Sequence, residues 1–136
     1  MNLYPTLVFL HVLAAILGLG PLTVLAILSS SPAPVISVGW FARLNRIVGW
    51  GLGALLVTGV LIIGQTHGVL GKAGWTRVAV GLFVVLAVLH GIVRSRLKRN
   101  RDAAPDGALP SGLGWQLRPM CGLVAAITYL MEAKPW

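Results

Sequence analysis

The chain of 136 residues contains one cysteine and three acidic residues. A single cysteine permits neither an intrachain disulfide nor a Cys-x-x-Cys metal site. Asp102, Asp106 and Glu132 give little material for paired-carboxylate catalysis, and the first two sit among arginines. No glycine-rich phosphate loop, no His-Glu-x-x-His helix and no nucleophile motif occurs. A soluble-type hydrolase is therefore not expected. Charge of either sign is scarce at 10% of residues, whereas 57% are hydrophobic. Disorder requires the opposite composition. A soluble domain of this length needs a polar shell that these residues cannot supply. What remains is an integral membrane protein, and its net charge of +8 becomes information about topology rather than about nucleic acid.

A spanning helix needs about 20 mainly apolar residues. Residues 3–28, 47–66, 75–93 and 115–132 are the candidate spans of a single transmembrane domain. The last is the most constrained, with 13 uncharged residues between Arg118 and Glu132, about 20 Å of helix. Arg118 must snorkel there, while Trp115 and Trp136 flank the segment as interfacial anchors. Arg43, Arg46, Arg94, Arg96, Lys98, Arg99, Arg101 and Arg118 fall on one side of such a layout, and Lys72, Arg77 and Lys134 on the other. Eight against three predicts both termini outside, with the basic loop 94–118 inside. No basic residue precedes the first apolar run, so span one is expected to be retained rather than cleaved. The fold expected is all-α: an up-down-up-down four-helix membrane bundle in a bacterial inner membrane. Its partners would be the bilayer, anionic lipid at the inner face, and a second copy or another membrane protein; nucleic acid is not expected.

Membrane helices associate through close backbone approach, so small residues should mark the packed faces. His11, Ala14, Ala15 and Gly18 share one face of span one. Gly49 and Gly53 form a GxxxG pair in span two. Ala79, Ala87 and Gly91 share a face of span three, interrupted by Phe83. Cys121, Gly122, Ala125, Ala126 and Tyr129 make a stripe on span four. The large aliphatics are then expected to face lipid.

Ionisable side chains inside a span mark functional sites. His11 lies in the outer half on the small-residue face, with room beside it for a flat cofactor or a metal; the alternative is a hydrogen bond to a nearby carbonyl, Tyr or Thr. His90 lies in the inner half, near the basic run, where a helix C-terminus also favours histidine. Their axial separation, about 15 Å by helix rise, counts against one haem held by both. His67 follows span two in a short outer loop. Glu132 shares a face with Ala125, Thr128 and Tyr129 at the outer end, where Lys134 or Arg77 could pair with it. Together His11, His67 and Glu132 form a second candidate, an outward-facing metal site.

Three stretches carry a family likeness. The run Leu10-His11-Val12-Leu13-Ala14-Ala15-Ile16-Leu17-Gly18-Leu19-Gly20 resembles the first helix of the copper-resistance D family and of small bacterial membrane proteins related to it. Leu56-Val57-Thr58-Gly59 resembles their second-helix pattern, and Met131-Glu132-Ala133-Lys134-Pro135 their ending. A more distant likeness, through His11, Gly74-Trp75 and His90, is to the bacterial membrane protoporphyrinogen oxidase family, which binds haem b. That family's third-helix lysine has no counterpart at its place; Arg77 is near but displaced. The resemblance implies haem b as cofactor, with His11 and then His90 as ligands. Copper stands behind haem, because Met1, Met120 and Met131 are too scattered for a copper(I) relay. Two functions are therefore expected to compete. One is a haem- or metal-associated membrane protein with a redox role and His11 as principal ligand. The other is an accessory subunit or assembly helper of a larger membrane complex.

Overall fold

The structure is a computed structural model that describes residues 3–29, 37–67, 69–104, 107, 109 and 112–133. The described residues are all-α: α1 (Tyr4–Ser29), α2 (Val38–Gln65), the single turn α3 (Val69–Lys72), α4 (Gly74–Ala103) and α5 (Leu113–Ala133). Helices α1, α2 and α4 are long and apolar enough to cross a membrane, whereas α5 falls short of that mark because Gln116, Arg118 and Glu132 dilute it. Three such helices make a multi-pass membrane protein, as the composition implies.

Two helices overrun their apolar segments. α2 begins at Val38, nine residues before Ile47, and α4 continues ten residues past Val93. The basic run Arg94–Arg101, expected to open a long loop, is helix. Leu, Lys and Arg favour helix, and Leu97 within this stretch, with Val93 just before it, is buried. The helix stops at Ala104, whose extended backbone (φ −154°, ψ 92°) suits the residue before Pro105. The connection to α5 is correspondingly short.

α1 packs beside α2 and α5, and α4 packs beside the same two, so α1 and α4 lie diagonally opposite. Gly18 meets Gly51 and His11 meets Thr58, which makes α1 and α2 antiparallel. His90 meets Asn45 and Gly49, which does the same for α2 and α4. The tightest crossing is Gly18 on Gly51: a methyl added at Gly18 would fall 2.5 Å from the Gly51 Cα. Gly49 and Gly53 do not form the expected seam. Gly49 makes room for the His90 ring, and Gly53 faces open space.

Other small-residue faces are also turned. On α4 the buried positions are Trp75, Thr76, Ala79, Leu86, His90, Val93 and Leu97, while Ala87 and Gly91 point outward. On α5 the packed face is Leu113, Leu117 and Met120, continued by Val124 and Ile127. The stripe Gly122, Ala125, Ala126 and Tyr129 is exposed. Bulky side chains win these faces because each fills more of the space between helices.

The core sits at one end. Burial on α1 starts at Gly18, on α2 stops at Leu55 and on α5 stops at Met120. This packed half also carries most of the basic residues, with Lys72 and Arg77 at the other end. In the other half α1, α2 and α5 have no buried residue, and only Trp75, Thr76 and Ala79 of α4 are covered. At the basic end the Arg43 guanidinium lies 5.3 Å from the Trp40 ring and Arg118 lies 5.9 Å from the Trp115 ring. Both pairs are Trp and Arg three residues apart, at the starts of the diagonally opposed α2 and α5.

Gly51→Ala is expected to destabilise the bundle by about 1–3 kcal/mol through overpacking. Gly53→Ala should be neutral or stabilising by up to about 1 kcal/mol. Unfolding in mixed detergent, followed by circular dichroism, measures both.

Candidate functional site around His11

The register of α1 on α2 follows from the glycine crossing. His11 lies seven residues before Gly18, and Thr58 lies seven residues after Gly51. Seven residues are about two turns, so both side chains return to the contact face. His11 Nδ1 and Thr58 Oγ1 are 2.7 Å apart. The Thr58 hydroxyl donates back to the Ala54 carbonyl at 2.8 Å, with the Leu55 carbonyl at 3.2 Å sharing the same proton. With its proton so directed, the Thr58 oxygen can accept from Nδ1–H, the pairing that goes with the Nδ1–H tautomer of the ring. Among the described residues nothing bonds Nε2. A neutral imidazole tied through one nitrogen, with the lone pair of the other available, is the arrangement that orients a metal-ligating histidine. The ring is half-buried, and its Cε1 faces Gly59 at ordinary contact distance for an added methyl.

His90 is placed differently. It is buried, and its Nε2–H donates to the Asn45 carbonyl at 3.0 Å. A methyl at Gly49 would lie 3.0 Å from its Cε1, so that glycine is where the ring seats. The nitrogen a cofactor would take is engaged in joining α4 to α2. The two anchor points on α2, Asn45 and Thr58, are thirteen residues apart, about 20 Å of helix. His11 and His90 thus sit at different depths on diagonal helices and do not share a site.

His67 stands exposed in the turn after α2, in a left-handed conformation (φ 49°). Glu132 and Tyr129 are exposed on α5. Among the described residues no three His, Cys, Asp or Glu side chains gather closely enough to hold a metal ion. His11, His67 and Glu132 are therefore not assembled with one another.

Two residues of consequence carry little signal in the sequence. A hydrogen bond to a Thr is the alternative expected for His11, and the structure shows it, but that the partner is Thr58 follows only from the α1–α2 register. Asn45 is an amide inside a helix, a poor helix former, and it is almost wholly buried with its Oδ1 unpartnered. No protein-family model, no curated protein and no solved structure matches the chain. Its function has to be read from its own residues.

The two histidines should differ in structural weight. His90→Ala leaves a cavity against Gly49 and is expected to cost about 2 kcal/mol or more. His11→Ala loses one half-exposed hydrogen bond, about 1 kcal/mol. Detergent unfolding of the two variants side by side checks the order.

Proposed function

We propose that the chain is a four-span protein of a bacterial inner membrane, with both termini outside, that holds haem b through Nε2 of His11 and serves electron transfer. The observation that carries this reading is the Thr58-tethered imidazole with its outer nitrogen unbonded. The donor set fits a haem with one protein imidazole. It fits neither a haem clasped by His11 and His90, which are too far apart in depth, nor a copper site, for which no His, Cys, Asp or Glu cluster gathers among the described residues. Haem held there would supply one-electron chemistry. The residues around it have plainer tasks. Thr58 fixes the tautomer and orientation of the ring. Gly59, Ala14 and Ala15 keep its surroundings low, and the neighbouring aliphatics of α1 exclude water. The likeness of the first helix to the copper-resistance D family, and the more distant one to the haem-binding oxidase family, point the same way.

The orientation rests on the basic end. Its Trp40–Arg43 and Trp115–Arg118 pairs suit the headgroup level of the inner leaflet, where anionic lipid would meet the arginines. For the fourth span, Leu117, Met120, Val124 and Ile127 pack α5 against the other helices along its length.

A second reading, an accessory subunit or assembly helper, is favoured by the exposed stripe of Gly122, Ala125 and Ala126 on α5, which admits close approach by a helix of a partner or second copy.

Protein purified in mild detergent after haem-replete expression should show a Soret band and a reduced-minus-oxidised difference spectrum. The band should be lost in His11→Ala and kept in His90→Phe. A colourless protein that co-purifies with a stoichiometric membrane partner would replace the first reading by the second. For topology, single cysteines at positions 112 and 133 in a Cys121→Ser background should react with impermeant thiol reagent from opposite sides. Labelling of both from one side would remove the fourth span.

A further inference from the structure

Between the overrunning ends of α2 and α4 lies a cleft of about 200 Å³. Its apolar floor is Ala42 and Leu97, and its polar lining is Asn45, Arg46, Arg94, Lys98 and Arg101. Arg94, Lys98 and Arg101 recur at i, i+4 and i+7, on one face of α4. Like charges at that spacing repel, and among the described residues no acidic side chain lines the cleft to offset them. Asp102 meets Arg101 at 3.2 Å, but this is an exposed surface pair between adjacent residues. Arg46 faces the row from α2.

Beneath these cations is Asn45, 1% exposed, with its Oδ1 lacking any partner. A buried amide normally finds partners. The Oδ1 is closed off from solvent, so it is the NH₂ end of this amide that can meet an acceptor in the cleft. The backbone at Asn45 is held from behind by His90. A convergent set of cations over an unsatisfied buried amide, in a pocket of small volume, calls for a compact anion with several oxygens.

We propose that this cleft is a binding site for a single phosphate group, with Arg46, Arg94 and Lys98 around its oxygens and the Asn45 amide as a donor below. Guanidinium groups match phosphate oxygens in pairs, and lysine adds a point charge. The phosphate comes either from the headgroup of an anionic phospholipid or from solution. The lipid source rests on the reading that the basic end meets the inner leaflet. The site differs from general attraction to a charged surface, because Arg96 and Arg99, on the opposite face of α4, have no part in it.

The test is native mass spectrometry of the full chain in neutral detergent, titrated with phosphatidylglycerol, with phosphatidylcholine, and with inorganic phosphate. Wild type should retain one phosphatidylglycerol, and Arg94→Gln with Lys98→Gln should weaken it by about tenfold or more, whereas Arg96→Gln with Arg99→Gln should leave it unchanged. Equal unfolding curves for the two double variants establish that both are folded. Displacement of the lipid by inorganic phosphate, or binding of phosphate alone, assigns the site to a solution ligand; insensitivity to phosphate assigns it to lipid. Equal weakening in both double variants would overturn the cleft while leaving inner-face lipid attraction intact. No retained phosphate-bearing ligand in wild type would overturn the cleft outright. The His11 absorbance is a separate readout, so failure here and failure of the haem reading are distinguishable.

Discussion

Gly18 and Gly51 bring the backbones of α1 and α2 together with no side chain between them, and much of the rest is set by that contact. In a membrane, helices gain little by hiding leucine from lipid, so backbone proximity and polar bonds decide the pairing. Once these glycines meet, the antiparallel register is fixed, and His11 arrives opposite Thr58 without further choice. The hydrogen bond that readies the imidazole is a consequence of a packing event two turns away. A side chain at either glycine would push the helices apart and separate the ring from the hydroxyl.

The two ends of the bundle are built by different rules. At the basic end, long side chains interlock and polar groups are drawn into the core: Asn45 and His90 join α2 to α4 there. At the other end the helices keep exposed apolar faces and hold His11 by a single tether. Rigidity and access are thus separated along the bundle axis. One histidine is locked by a backbone carbonyl and joins two helices, whereas the other is tethered through Nδ1 and keeps Nε2 unbonded among the described residues.

The amino-acid pattern made the membrane character, the all-α class and the outward aliphatics legible, because each is a property of one helix at a time. His11 could be singled out for the same reason. Partner choice was not legible in that way. Gly49, Gly51 and Gly53 look alike in sequence, yet one seats a histidine, one meets another glycine and one faces open space. The α5 stripe of Gly122, Ala125 and Ala126 looked like a packing face, and Leu117 and Met120 took that role because volume filled the gap better. The basic run looked like loop because charge obscured the buried Val93 and Leu97, whose spacing continues the helix.

The Trp40–Arg43 and Trp115–Arg118 pairs stand on opposite flanks at the same end. In the proposed orientation they would fasten the bundle to one surface of the bilayer. The four helix ends around His11 have no matching pair of this kind among the described residues. If those pairs hold their end at the headgroups, a change in membrane thickness is taken up toward the opposite end. The depth of His11 below its own surface would then vary with the lipid, while the arginine-rich end stays at constant depth.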